Sequence, residues 1–278
     1  MDDIILETQD LTWLSWSLTR TSSGTAGTFL KSYSAEDGRK IYYKLSDCDM
    51  SAGIVGHECI NELIADRLLT LLEIPHLRYK LIHADIRVGD KIFNTWLTAS
   101  LDFKRPGEDK IPLETYYRNN AYQGEAVLDF CVRMGWCRNI WEMLVCDFLI
   151  LNRDRHGANI EVLRNRRNGR IRLAPLFDNG LSLVFSCKDR ETLDKFDALA
   201  DKRVQSFIGG NSAIRNLGLI PPEEMLELPE YSKLSREELF AGLDGAIDKA
   251  WLDKIWDMIS GRWKMYEDIR SQRRSGNL

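Results

Sequence analysis

Three polar residues in the middle of the chain have the types and the spacing that phosphoryl transfer requires. Asp154 and Asn159 are separated by four residues, and Asp178 begins an Asp-x-Gly turn nineteen residues after Asn159. In phosphoryl transfer, one carboxylate orients the attacking hydroxyl group, whereas an amide oxygen and a second carboxylate hold Mg²⁺ against the phosphates. An Asp-x₄-Asn loop followed by an Asp-x-Gly turn supplies these groups. The pattern therefore predicts Asp154 as the catalytic base and Asn159 and Asp178 as magnesium ligands.

The segment between Asn159 and Asp178 is expected to fold back on itself. Two extended apolar runs, Ile160 to Leu163 and Ile171 to Leu173, flank a turn at Asn168-Gly169, which predicts a β-hairpin. Such a hairpin would return Asp178 to the side of Asn159. The alternative is that the three polar residues only shape turns or cap a helix, since Asp and Asn favour such positions.

A lysine and two glutamates upstream are candidates for the ion pair that supports the nucleotide phosphates. Lys44 lies near the end of the predicted strand Lys40 to Leu45, where a kinase lysine would reach the α- and β-phosphates. Glu58 and Glu62 are four residues apart on the helix that follows, so they share one face. We favour Glu62 as the partner of Lys44, although the spacing alone leaves Glu58 open.

Further residues are predicted to surround this site. The run Ser23-Gly24-Thr25-Ala26-Gly27 offers backbone N–H groups without bulky side chains, which suits a phosphate-binding loop. Asp147 lies within an apolar run, and because a charge there needs a partner, it is predicted to brace the catalytic loop, residues 152–159. His156 is predicted either to contact phosphate or substrate or to brace the same loop by hydrogen bonds.

The order of the predicted elements around these residues is that of a kinase small lobe. Besides the strand with Lys44, strands are predicted at Leu11 to Leu18, Phe29 to Tyr33, Arg78 to Ile86 and Lys91 to Leu97, with turns at Asp37-Gly38 and Gly89-Asp90. Apolar residues at helical spacing predict a helix from about Glu58 to Leu72, which Ile74-Pro75 ends.

The chain changes character after about residue 100. A strongly apolar helical stretch covers Gly124 to about Leu151, and charged residues with helical periodicity cover Glu223 to Ile269. We therefore predict an α+β, two-lobed, protein-kinase-like fold. Its small mixed α/β N-terminal lobe would comprise residues 1–100, and its mainly helical C-terminal lobe would comprise residues 101–278.

The composition is that of an ordinary folded protein and excludes several classes of partner. The chain has 278 residues, 44% of them apolar and 29% charged, with a formal net charge of −4. That balance argues against broad electrostatic binding to nucleic acid or to an anionic membrane. The six cysteines form no Cys-x-x-Cys pair, and neither a secretory signal nor an apolar run of about 18 residues is evident. We expect a cytoplasmic protein with reduced thiols.

Three stretches of the sequence resemble the HipA-type serine/threonine kinases, bacterial proteins often found as toxins of toxin–antitoxin pairs. The family has the motif Asn-x-Asp-x-His-x-x-Asn followed by Pro-Leu-Tyr-Asp, and residues 152–159 and 174–178 are similar to these motifs. The family's glycine loop, Ser-x-Ala-Gly-Ala-Gln-x-Lys, is similar to residues 23–31, although the Gln is absent here. The chain is too short for the extra N-terminal subdomain of the larger members, so we expect a compact version.

The resemblance implies an ATP- and Mg²⁺-dependent serine/threonine kinase in which Lys44 contacts the phosphates. A hinge at Thr98 to Leu101, with Thr98 and Ser100 near the base, would face the adenine. HipA-type kinases can phosphorylate a serine of their own glycine loop, which here would be Ser22 or Ser23. A small antitoxin protein would be a partner, whereas the phosphorylated protein substrate is not identified by the sequence.

Two alternatives to a protein kinase stay open. The Asp-Arg-His-x-x-Asn sequence is also close to that of phosphatidylinositol kinases, so the acceptor could be a lipid or a small molecule. The net negative charge and the lack of an amphipathic basic helix disfavour the lipid. A non-catalytic, kinase-like binding module is the second alternative, which is disfavoured because the predicted catalytic and metal-binding residues are all present.

Overall fold

The computed structural model describes residues 3–16, 29–36, 38–49 and 53–276, which form a mixed α/β fold with a sheet-rich N-terminal part and a helical C-terminal end. The N-terminal part contains β1 (Ile4–Leu11), β2 (Lys31–Glu36), β3 (Arg39–Leu45), β4 (Cys48–Asp49), β5 (Gly53–Ile54), α1 (Glu58–Leu71), β6 (Lys80–Val88) and β7 (Lys91–Leu101). The remainder contains β8 (Glu108–Pro112), α2 (Leu113–Asn120), α3 (Val127–Arg133), α4 (Cys137–Leu149), β9 (Asp154–Arg155), β10 (Glu161–Asn165), β11 (Ile171–Leu173), α5 (Arg190–Asp194), β12 (Gln205–Ser206), α6 (Ala213–Leu217), α7 (Arg236–Phe240) and α8 (Lys249–Arg274).

A five-stranded sheet with the order β1-β6-β7-β3-β2 dominates the N-terminal part. β1 runs parallel to β6, and the other neighbours are antiparallel. Side chains alternate between the two faces of a strand. In β3, Tyr43 and Leu45 are buried in an apolar cluster on one face, so Tyr42 and Lys44 project from the opposite face.

Helix α1 is enclosed on nearly all sides. Twelve of its fourteen residues are buried, and the helix packs against β6, β7 and α7. A helix in such a position is part of the core rather than a surface element, so its polar residues need partners within the protein. The helix ends one residue before the predicted end at Leu72, and Glu73 leaves it with a φ of 54°.

A small antiparallel sheet of β11, β10 and β8 carries the hairpin that was predicted between residues 160 and 173. Asn165 Oδ1 accepts hydrogen bonds from the backbone N–H groups of Arg167 and Asn168 at 2.9 and 3.2 Å, and Gly169 completes the turn with a φ of 68°. The hairpin therefore returns the chain from the catalytic loop toward Asp178.

Helix α4 is the buried axis of the helical part and leads directly into the catalytic loop. Its residues from Ile140 to Leu149 are all buried. Helix α8 packs against it, and the buried Arg262 of α8 donates a hydrogen bond of 3.1 Å to the Phe148 carbonyl. The position of the catalytic loop is thus fixed by the core of the helical part.

The first strand lies earlier than the sequence pattern indicated. It covers Ile4–Leu11 rather than Leu11 to Leu18. The chain turns after Leu11 because Asp10 Oδ1 accepts hydrogen bonds from the Thr12 backbone at 3.0 Å and the Thr12 hydroxyl at 2.6 Å, a local competitor of strand pairing. Residues 17 and 18 lie outside the described ranges.

The long predicted helices are shorter in the structure. The stretch from Gly124 to Leu151 is divided into α3 and α4 by Gly135, which has a φ of 72°. Between Glu223 and Asp248 the described elements are two 3₁₀ turns and the five-residue α7, so only α8 fulfils the prediction for the last third. Charged and apolar residues at helical spacing gave these loops a helical pattern that tertiary packing overrides.

The remaining expectations concern the cysteine thiols, the apolar character of the helices and the division of the chain into two lobes. All six cysteines are free thiols, and four of them are buried. Among the helices of the described ranges, none combines the length and the apolar composition needed to cross a membrane. The division into residues 1–100 and 101–278 stays a prediction.

Candidate active site

The five-stranded sheet and the helical part meet at an ion pair with three members. Lys44 Nζ lies 3.0 Å from Glu62 Oε1 and 2.5 Å from Asp178 Oδ1. The lysine comes from β3, the glutamate from α1 and the aspartate from the turn after β11. Burial alone would lower the pKa of Lys44, but the Asp178 and Glu62 carboxylates outweigh that effect and hold it well above its usual value. Lys44 is therefore fully charged at neutral pH.

The structure distinguishes the two glutamates that the sequence left open. Glu62 is completely buried, and its second oxygen, Oε2, accepts a hydrogen bond of 2.8 Å from the backbone N–H of Asn179. Glu58 turns away from Lys44, and its Oε2 accepts a hydrogen bond of 3.0 Å from the backbone N–H of Asp47. Glu62 thus connects Lys44 to the Asp-x-Gly turn, whereas Glu58 fixes the loop before α1.

Replacing each glutamate by glutamine should separate these two contacts. Glu62→Gln removes the charge that holds Lys44, and we expect nucleotide-dependent activity, measured as kcat/KM for ATP, to fall about 10- to 100-fold, the value of one charge-assisted hydrogen bond. Glu58→Gln keeps an oxygen acceptor for Asp47 and should change kcat/KM less than about threefold. Equal losses in the two variants would show that the ion pair has no special role.

The Asp-x-Gly turn is held in place from several sides. Asp178 adopts a φ of 57°, and its backbone N–H donates to the Tyr79 hydroxyl at 3.3 Å. The Asn61 amide donates to the carbonyls of Gly180 and Ser182, both at 3.0 Å. A Cβ atom on Gly180 would lie 3.1 Å from Glu58 Cβ, so a larger residue would crowd this turn against α1 and glycine is favoured.

The catalytic loop brings Asp154 and Asn159 to the same place. The Asn159 amide nitrogen donates to the Asp154 carbonyl at 2.8 Å, which makes Oδ1 the atom of Asn159 that can bind a metal. Asp154 begins β9, which pairs with β12, and its backbone N–H donates to Asn152 Oδ1 at 3.1 Å. The field of Asp178 acts on the Asp154 carboxylate, as expected for neighbouring groups.

The two aspartates differ in their protonation. Burial raises the pKa of Asp154; the nearby His156 opposes this rise and Asp178 adds to it. Burial also disfavours the charged form of Asp178, but Lys44 and then Lys31 outweigh it and lower its pKa. Asp178 therefore stays ionised over a wide pH range, as a metal ligand must, whereas Asp154 is poised to take up a proton, a separation of roles seen in acid–base catalysis.

His156 lies beside the predicted base. Its Nε2 is 3.8 Å from Asp154 Oδ2, and its Nδ1 accepts a hydrogen bond of 3.2 Å from the Ala158 backbone N–H. Because Nδ1 is an acceptor, the proton of the neutral ring is on Nε2, which faces the Asp154 carboxylate. The hydrogen bond to Ala158 lies within the catalytic loop, and a contact of His156 with phosphate or substrate stays a prediction.

Arg155 is a buried connection that sequence reasoning missed. The side chain is 1% exposed and makes a fork with Asp147, with Nη2 2.9 Å from Asp147 Oδ1. It also donates to the Phe177 carbonyl at 2.8 Å and to Asn179 Oδ1 at 2.6 Å, the residues on either side of Asp178. Burial would lower the pKa of Arg155, but Asp147 raises it above its usual range. The predicted brace, Asp147, thus acts through Arg155.

The remaining predicted residues lie at different distances from this centre. Thr98 is opposite Lys44 and Ser100 is opposite Tyr42 in the pairing of β3 with β7. Thr98 is 1% exposed, and its hydroxyl lies 4.0 Å from Cys59 Sγ of α1, so its side chain is not open to solvent. The phosphate-binding loop and the proposed modification sites, residues 22–27, lie outside the described ranges.

Lys31 is a second lysine on the face of the sheet that carries Lys44. In the pairing of β2 with β3 it lies directly opposite Lys44, and its charge helps to lower the pKa of Asp178. Lys31 is the last residue of the stretch that is similar to the HipA-type glycine loop. That similarity was the one feature of the sequence that pointed to Lys31. Two positive charges therefore lie side by side on this face of the sheet.

Comparison with solved structures identifies the fold. The proinflammatory kinase CtkA of Helicobacter pylori superposes with a TM-score of 0.64 at 17% identity, over 97% of this chain and 98% of that one. HipA of Shewanella oneidensis, solved with HipB and operator DNA, superposes with a TM-score of 0.51 at 14% identity, over 91% of this chain and 67% of that one. The chain has the fold of these kinases. Neither the protein-family models nor the curated proteins include a match to the sequence.

Proposed function

We propose that the chain is an ATP- and Mg²⁺-dependent protein serine/threonine kinase of the HipA type, with the two-lobed arrangement of kinases. The observation that carries this proposal is the contact of Lys44 with both Glu62 and Asp178, next to the loop that bears Asp154 and Asn159. These residues come from distant parts of the chain, and turn-forming or capping roles give no reason for them to converge. The kinase fold of the two similar structures supports the same conclusion.

Each residue has a role that follows from its surroundings. Lys44, held by Glu62, would contact the α- and β-phosphates, and Lys31 would add a second positive charge near them. Asp154, whose raised pKa favours proton uptake, would orient the acceptor hydroxyl group and take its proton. Arg155, itself part of the catalytic loop, would keep that loop in register with the Asp-x-Gly turn, since it bonds Asp147 of α4 and the Phe177 carbonyl.

The residues present fit a magnesium ion. Asn159 Oδ1 and the Asp178 carboxylate are oxygen ligands of the kind that Mg²⁺ prefers, and the lowered pKa of Asp178 keeps it ionised. A bound Mg²⁺ would neutralise charge on the phosphates during transfer. The protein's own contribution is to hold these two side chains through the Asp154 carbonyl, Tyr79 and Asn179 contacts.

The proposal extends to a partner and to regulation. The S. oneidensis HipA structure contains HipB, and by analogy we propose a small antitoxin protein as a partner of this chain. Phosphorylation of Ser22 or Ser23 would place about −1.5 to −2 charges in the loop that receives the ATP phosphates. Such a modification would oppose nucleotide binding and switch the enzyme off.

Transfer of the γ-phosphate from labelled ATP tests the proposal. The purified protein is incubated with ATP and Mg²⁺, alone, with a cell extract and with phosphatidylinositol vesicles. We expect Mg²⁺-dependent label on serine or threonine of protein, including Ser22 or Ser23, and weaker Mg²⁺-dependent nucleotide binding in Asp178→Asn. Label confined to lipid would support a lipid kinase, and nucleotide binding without any transfer would support a binding module.

A further inference from the structure

Helix α1 carries a second buried carboxylate, that of Asp66. It lies four residues after Glu62, so the two carboxylates share one face of the helix. Only 1% of Asp66 is exposed, and a buried carboxylate is costly unless several donors face it. The groups that face Asp66 come from the loop of residues 73–79, which joins α1 to β6.

Three nitrogen atoms of this loop converge on Asp66. The Tyr79 backbone N–H donates to Oδ2 at 2.6 Å, whereas His76 Nε2 and Arg78 Nε lie 3.1 and 3.0 Å from Oδ1. The second ring nitrogen of His76, Nδ1, donates to the Ile74 carbonyl at 2.6 Å. The His76 side chain is 6% exposed and that of Arg78 is 59% exposed. The buried contacts of Asp66 with Tyr79 and His76 therefore fix the path of the loop.

The same loop is bonded to the chain that leads into the Asp-x-Gly turn. The Leu77 backbone N–H donates to the Leu176 carbonyl at 2.8 Å, and the Leu176 N–H donates to the Pro75 carbonyl at 3.0 Å. Two residues further on, the Asp178 N–H donates to the Tyr79 hydroxyl at 3.3 Å. A shift of the loop would therefore move the chain that carries Asp178.

We propose that Asp66 is a positioning residue of the site, which fixes Asp178 through residues 75–79. This role rests on the proposed function, because Asp66 would control the position of Asp178 as a magnesium ligand. Glu62 accepts the N–H of Asn179 at 2.8 Å, on the other side of Asp178. The two carboxylates of α1 would thus hold the turn from both sides, one directly and one through the loop.

A positioning role and a purely structural role of Asp66 have different consequences. A carboxylate that only stabilises the core would change the free energy of unfolding and leave the nucleotide affinity of the folded protein unchanged. A carboxylate that positions Asp178 changes that affinity in the folded protein. Its effect also overlaps with that of the Tyr79 hydroxyl, because residues that act along one path have non-additive effects.

Titration calorimetry with ADP and Mg²⁺, which provide no γ-phosphate to transfer, measures this affinity. Asp66→Asn preserves the shape of the side chain but removes the charge that faces the loop, so we expect the affinity to fall about 10- to 100-fold. Tyr79→Phe removes the acceptor of the Asp178 N–H and should lower the affinity about 2- to 10-fold. The double variant should lose less than the product of the two single losses.

Two control variants make the same chemical changes away from the loop. Asp109→Asn changes a carboxylate of β8 whose pair with Arg166 is exposed. Tyr266→Phe removes a hydroxyl group of α8 that donates to the Leu226 carbonyl at 2.7 Å. Because distant sites act independently, we expect both controls to bind ADP with Mg²⁺ within about twofold of wild type.

Hydrogen–deuterium exchange of the nucleotide-free protein gives a second readout. In Asp66→Asn, the amides of residues 75–79 and 174–178 should exchange about tenfold faster than in wild type. The amides of residues 60–64 in α1 should keep their wild-type rates, because a local opening of the loop does not require the helix to unfold. Equal acceleration in all three segments would show a general loss of stability and would overturn the positioning role.

The remaining outcomes separate this role from the proposed function. If Asp66→Asn binds ADP with Mg²⁺ as wild type does, or if the two single losses multiply in the double variant, Asp66 does not position Asp178, and the kinase proposal still stands. If Asp66→Asn does not fold, His76→Gln takes its place in the same comparison, since it alters one loop contact and leaves the carboxylate intact. A wild-type protein that does not bind ADP with Mg²⁺ overturns the proposed function and the positioning role together.

Discussion

Asp154→Asn is expected to lower phosphate transfer by about 100- to 10,000-fold, because positioned proton transfer contributes about 10²–10⁴-fold to such reactions. The substitution preserves shape, and the backbone carbonyl of residue 154 still receives the Asn159 amide. Nucleotide binding should stay within a few-fold of wild type, since Lys44 and Asp178 are unchanged. The measurement is γ-phosphate transfer from labelled ATP beside ADP affinity by calorimetry, with Asp109→Asn as the control.

The same carboxylate should set the acid side of the activity profile. A protonated Asp154 cannot accept the acceptor's proton, so kcat/KM should fall as the pH falls through its raised pKa, above the usual value of about 3.9. ADP affinity should not follow this fall, because the lowered pKa of Asp178 keeps that group ionised to a more acidic pH. Full transfer by Asp154→Asn would show that Asp154 is not the base.

Arg155→Met is expected to have the largest effect on stability. The change leaves Asp147 buried without its charged partner and removes the contacts to Phe177 and Asn179. Breaking a buried pair in this way costs about 3–5 kcal/mol, measured as the free energy of unfolding in urea. Arg166→Met is the matched control, because its pair with Asp109 is exposed and should contribute less than about 1 kcal/mol.

A double variant separates stability from positioning. Arg155→Met combined with Asp147→Leu removes both charges, so much of the lost stability should return, whereas phosphate transfer should stay low because the turn at Asp178 is no longer tied to the catalytic loop. If Arg155→Met retains wild-type transfer, or if the double variant regains it, then Arg155 does not position the site. The affinity for ADP, compared between the two variants, shows whether Asp178 is still held in position.

The sequence located the candidate site better than the frame that holds it. The convergence of Asp154, Asn159, Asp178 and Lys44 could be expected because their types and spacing match the needs of phosphoryl transfer, and the hairpin before Asp178 has strong turn residues; their roles stay predictions. The sequence favoured Glu62 over Glu58 as the partner of Lys44 but left Glu58 open, since residues four apart share a helix face. That choice depends on how α1 is rotated against β3 and the Asp178 turn.

The supporting contacts escaped prediction for a similar reason. Arg155 stands between two residues of obvious interest, but its partners are Asp147, the Phe177 carbonyl and the Asn179 side chain. The last two lie more than twenty residues away in the sequence. Such contacts form only when separate segments pack together, so the local sequence pattern does not predict them.

The salt bridge between Lys44 and Asp178 has a consequence for the order in which ligands arrive. Asp178 already has a cation, the ammonium group of Lys44, and because that group is attached to the same protein, its effective concentration is far above that of free Mg²⁺ in a cell. Free Mg²⁺ must therefore compete with the Lys44 ammonium group for the Asp178 carboxylate. Phosphates change the balance, since they give Lys44 another anion to bind. We therefore expect Mg²⁺ and the nucleotide to bind as one complex, and we expect either of them alone to bind weakly.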